Sequence, residues 1–209
     1  MNSKSNSLTW SRLAGVAGVL SVLCYFAAVF LPGPDSIVRL LAFSFGPLLC
    51  VSFVGAYRFM AFQKDGPVLQ VACLFGIIAG VMVTTMLVVQ IGNNMVHADA
   101  LASAATETAR ESALLAWQAV NRVQYLLDVV LDIFICISLI LLGTVMLGHR
   151  AFGRIWGGLG ILGGFGLLVL NLVAFPFVPR ESGLVDLGPV VMLWMLAVFV
   201  RFLLVEKQC

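Results

Sequence analysis

Residues 125–147 read YLLDVVLDIFICISLILLGTVML, and Asp128 and Asp132 are the only charges in the run. As a helix this stretch rises about 34 Å, against about 30 Å for a bilayer's hydrocarbon core. It reads as a membrane span, and the rest of the chain has the same character. Segments 13–31, 37–60, 68–91, 155–177 and 187–205 are also long and apolar. The chain is 61% hydrophobic and 11% charged, too little charge to coat a soluble domain of 209 residues. The expected fold is therefore all-α. One domain, residues 1–209, is a polytopic membrane protein with six transmembrane helices. Segment 13–31 follows Lys4 and Arg12 as a secretory signal would, but it is too long for one and five spans follow, so it is read as retained.

The charges orient this bundle. Lys4, Arg12, Arg58, Lys64, Arg150, Arg154, Arg201 and Lys207 fall on one side of the alternating spans, against Arg39, Arg110, Arg122 and Arg180 on the other. Basic residues concentrate on the cytoplasmic side, so both termini are expected there. Asp35, Asp99, Glu107, Glu111, Glu181 and Asp186 fall outside.

Most connections are short, but 92–124 is long, alanine-rich and charged at intervals. It reads as an extracytoplasmic, largely helical connection, with Thr108 and Glu111 at capping-box spacing to start the next helix. An internal echo also appears at an offset of 142 residues. Arg12, Gly15, Gly18, Pro34, Gly46 and Pro47 fall on Arg154, Gly157, Gly160, Pro176, Gly188 and Pro189. Spans 1–2 and 5–6 are thus read as two copies of one hairpin flanking spans 3–4. Gly153, Gly157, Gly160 and Gly164 share one face of span 5, and Gly76 and Gly80 share one face of span 3. Small residues let membrane helices approach closely, here within the chain or across a homo-oligomer.

Function, on this reading, sits where polarity enters lipid. Trp117, Asn121, Tyr125, Asp128, Asp132 and Cys136 are spaced by three or four, so they form one stripe. An aspartate at mid-bilayer costs about 2.5–3.5 kcal/mol on insertion scales, so the stripe must face protein or water. Span 3 offers Gln90, Asn94 and His97, span 5 offers Asn171, and Arg39 is the candidate counter-charge. Together they predict an outward-facing polar cleft, with Asp132 at its floor, that binds or moves a small solute, an ion or a proton. A second reading makes His97 a metal ligand with Asp128 and Asp132, in a membrane enzyme or cofactor protein. A third makes the network structural, in an assembly or sensor subunit. Cys24, Cys50, Cys73, Cys136 and Cys209 are scattered without metal-ligand spacing. No nucleotide motif and no basic tract for nucleic acid is present, and no cofactor is specified.

The Arg12-Leu-Ala-Gly15 opening, the Trp156-Gly157 start of the glycine-rich span and the six-span length resemble an uncharacterised family of small bacterial multispanning proteins that carry a domain of unknown function. That resemblance implies a bacterial inner-membrane location and supplies no site residues.

Overall fold

The computed structural model describes residues 3–30, 33 and 35–205. Pro34 of the repeat, Lys207 and Cys209 lie outside them. The described residues form six helices and no strand: α1 (Ser3–Phe30), α2 (Asp35–Ala61), α3 (Pro67–Ser103), α4 (Glu107–Leu147), α5 (Gly153–Ala174) and α6 (Gly188–Leu204). The first five are long and apolar enough to cross a membrane, and α6 is shorter.

Each helix packs on the next in sequence, and α6 returns to α1, so the six close into a ring. Glycines make the close approaches. Gly157 of α5 meets Gly143 and Leu147 of α4, while Gly164 lies against Cys136 and Leu139. Gly160 takes the Trp194 ring from α6, Gly76 takes Phe53 from α2, and Gly80 meets Gly46 and Cys50. Gly76 and Gly80 of the α3 face and Gly157, Gly160 and Gly164 of the α5 face are thus filled inside the chain, whereas a side chain at Gly153 would meet nothing. Buried Ser138 donates to Ala72 O at 2.7 Å and pins α4 to α3. At one end of the ring, Ser11 donates to Phe202 O, and Gln63 bonds Gly148 O and Arg150 N. Arg201 Nε donates to Ala151 O at 3.0 Å.

At the opposite end, α3 and α4 outrun their neighbours. Segment 68–91 was the expected span, yet α3 continues unbroken to Ser103. Gly92, Asn93 and Asn94 do not stop it, because the side chains are satisfied across the seam. Asn93 Nδ2 donates to Trp117 O at 3.0 Å, and Trp117 Nε1 donates to Asn94 Oδ1 at 2.9 Å. The next helix starts a turn-fraction earlier than Thr108 suggests. Thr106 is the N-cap, its hydroxyl accepting from Ala109 N at 3.2 Å, and α4 begins at Glu107. Its 41 residues rise about 61 Å, twice a hydrocarbon core.

The other two corrections concern the end of the chain. Span 5 was expected to reach residue 177 but stops at Ala174, since Pro176 lacks an N–H and restricts Phe175 before it. Span 6 was expected over 187–205. The helix has 17 residues, about 25 Å, less than a hydrocarbon core. Gly188-Pro189 opens α6, whereas Pro47 lies inside a continuous α2, so the two matched positions of the sequence echo are not structurally alike.

Candidate functional site

Leu139 and Leu142 fix which face of α4 looks into the ring. With Phe53 of α2 and Met195 and Val198 of α6, they line an apolar cavity of about 10 Å³. Steps of three and four lead outward along this face to Ile135, Asp132, Asp128 and Gln124. The interior stripe therefore changes character along a single helix. Leu142, Leu139 and Ile135 are buried and apolar; two carboxylates and an amide then follow.

Neighbouring elements complete the polar half. Asn171 of α5, only 1% exposed, donates Nδ2 to Asp132 Oδ2 at 2.9 Å and to Leu167 O at 3.0 Å. That bond holds the Asp132 carboxylate toward α5. Asp186 accepts from Gly188 N at 2.8 Å at the start of α6. Asp128 lies within electrostatic reach of both Asp132 and Asp186, and Tyr25 of α1 within reach of Asp128 and Asp186. The Tyr25 ring packs against Phe45 of α2, with centroids 5.0 Å apart and the planes tilted by 39°. Gln124 is 5% exposed, and its Oε1 has no hydrogen-bond partner among the described residues. Asp128 and Asp132 are half-buried, and among the described residues neither is paired with a cation.

The short α6 decides what closes this region. Leu187 packs on Gly166, five residues before Asn171 and so roughly 7 Å short of it along α5. At the level of the aspartates the ring wall is the irregular segment 175–187, not a helix. Among the described residues, the site is thus a row of acceptors with few donors and no paired cation, beside a non-helical wall.

The family described as Domain of unknown function (DUF4386) matches residues 35–205. The chain belongs to this family. No curated protein matches it, and no solved structure does. In this DUF4386 protein the matched region starts with α2 and takes in Asp128, Asp132, Asn171 and Asp186, while Tyr25 precedes it.

Several residues singled out in the sequence sit elsewhere in this DUF4386 chain. Ala72 facing Ser138 and Asn94 facing Trp117 set the register of α3 against α4. Interpolation puts Asp128 opposite roughly residue 82, with His97 about 22 Å further out along α3. His97 stacks on Trp117 with ring centroids 5.3 Å apart. The structure does not bring it to Asp128 and Asp132, and no group of three or more His, Cys, Asp or Glu residues among those described is arranged to hold a metal. Asn94 belongs to the same outer seam. Gln90 is half-buried about 12 Å outside Asp128. Arg39 Nη1 donates to Met95 Sδ at 3.2 Å and does not face the aspartates. Asn121 and Tyr125 continue α4 outward, both half-buried.

The sequence reading brings Asp128, Asp132 and Asn171 to one place and misses Gln124, Tyr25 and Asp186. Gln124 is one turn from Asp128 and was legible by spacing. Which side of α4 faces the interior was not, because that depends on where α3 and α5 pack.

Proposed function

We propose that this protein binds a small cationic solute or a proton at the α4 aspartates, entering from the extracytoplasmic side, as a step in its transport across the membrane. The observation that carries this reading is the switch on the interior stripe of α4. Apolar Leu142, Leu139 and Ile135 give way to Asp132 and Asp128, which have no cationic partner among the described residues. Two carboxylates toward the interior of a membrane bundle are costly, and ionisable groups so placed generally mark a path for ions or solutes.

The charge distribution supports an orientation with both termini in the cytoplasm, and the family resemblance implies a bacterial inner membrane. The α3–α4 hairpin tip, formed from 92–124, then projects into the extracytoplasmic space. The offset of 142 residues supports a duplicated hairpin, α1–α2 and α5–α6, on either side of the α3–α4 pair that holds the aspartates.

The test is uptake into proteoliposomes with Asp132→Asn beside wild type, each checked for a monodisperse elution profile. We expect the variant to lose at least tenfold in cation- or proton-coupled flux while retaining its fold. A folded variant with unchanged flux for every cation that wild type moves removes Asp132 from function.

A further inference from the structure

Asp128, Asp132 and Asp186 lie within electrostatic reach of one another, and their charges are not equally free. Asp186 caps α6 through Gly188 N, so the positive end of that helix offsets its charge. Asp128 and Asp132 remain, one turn apart and about 6 Å along the axis. Asn171 holds one oxygen of the Asp132 carboxylate toward α5.

A bare divalent metal needs several oxygens at one short distance, and no such group is assembled among the described residues. Gln124 extends the row of acceptors a further turn outward. Its carbonyl oxygen is buried without a donor among the described residues, an arrangement that favours an arriving partner. Tyr25 of α1 lies within electrostatic reach of Asp128, and its ring, backed by Phe45 at 5.0 Å, offers an aromatic surface suited to methylene groups and to the edge of an ammonium.

We infer that the occupant is a short aliphatic diamine, with one ammonium at Asp132, the other between Asp128 and Gln124 Oε1, and its methylene chain against Tyr25. Its two charges match the two uncompensated carboxylates, and its N–H groups supply the donors that these acceptors lack. The inference rests on the cation-binding reading above and narrows it to one chemical class.

Purified protein in detergent at fixed ionic strength is titrated calorimetrically with 1,4-diaminobutane, butylamine, sodium chloride and magnesium chloride. The diamine is expected to bind at least tenfold more tightly than the monoamine. Asp128→Asn is expected to reduce the diamine's advantage over butylamine to threefold or less, and Gln124→Leu to weaken the diamine at least threefold. Both variants are checked for wild-type helicity and elution, and Asp132→Asn is added as a third. Equal affinity for butylamine and diamine, or diamine binding unaffected in folded Asp128→Asn, overturns the diamine. If sodium or magnesium instead binds in an Asp132-dependent manner, the cation site stands and only its occupant is wrong. If no cation gives an Asp132-dependent signal, both readings fall.

Discussion

Asn171 is buried in a membrane helix and its amide reaches across to another helix's carboxylate. Replacing it with leucine keeps the volume roughly constant but removes the donor, leaving Asp132 Oδ2 without its only side-chain hydrogen bond among the described residues. We expect Asn171→Leu to cost about 1–3 kcal/mol in thermal or denaturant unfolding. In the double variant with Asp132→Leu most of that loss should return, because the stranded acceptor is gone. A double variant less stable than either single one would mean that Asn171 supports the fold through its shape alone. His149 makes a different residue-level argument, at the far end of the ring. It is 6% exposed, with Phe59 and Phe152 rings each 5.5 Å from its own, and Nδ1 accepts from Ala151 N at 3.2 Å. Burial pushes its pKa down from 6.5 to about 4. The unfolded chain therefore takes a proton on this side chain before the folded one does, so stability falls as pH drops from about 6.5 towards 4. The loss should reach at most about 2 kcal/mol once nearby water screens the charge. Melting temperature measured over that window should slope less in His149→Gln, and equal slopes would remove His149 as the cause.

At the scale of elements, helix contacts depend on register, and two adjacent glycines of α5 expose that dependence. Gly157 meets Gly143 and Leu147 of α4, whereas a side chain at Gly158 would meet nothing. Gly157→Leu should drive α4 and α5 apart and abolish the monodisperse elution peak. Gly158→Leu should elute as wild type and change stability by no more than about 0.5 kcal/mol. Equal behaviour of the two variants would contradict the α4–α5 seam. Six helices, most of the short turns and the glycine seams were legible because lipid imposes length and apolarity, and small residues mark close packing. Three features were not. The outward run of α3 past Gly92 depends on hydrogen bonds to Trp117, a residue on another helix. The end of α5 at Ala174 follows from the irregular segment 175–187, whose apolar Phe175 and Phe177 look like span in a hydropathy reading. The inward direction of Gln124 appears only when both neighbours of α4 are known. For the same reason His97 and Arg39 shared a polar level with the aspartates in the sequence but lie further out in the structure, on Trp117 and Met95.

For the molecule as a whole, the ring and the orientation together decide what the aspartates can meet. Their half of the interior lies nearer the end where α3 and α4 project, and the apolar cavity lined by Leu139 and Leu142 lies nearer the other. If the projecting end is extracytoplasmic, solute reaches Asp128 before it meets an apolar barrier about a turn or two deeper. If that end is cytoplasmic, the same site faces the cell interior and collects from there. Charge bias favours the first arrangement, and labelling can separate the two. With the native cysteines replaced by serine or alanine, Ser112→Cys at the exposed start of α4 and Lys64→Cys in the exposed α2–α3 turn report on opposite ends. A membrane-impermeant maleimide added to intact cells should modify Ser112→Cys and leave Lys64→Cys unlabelled until the membrane is permeabilised. The reverse pattern would invert the bundle, and the aspartates would then have to be tested as a site loaded from the cytoplasm.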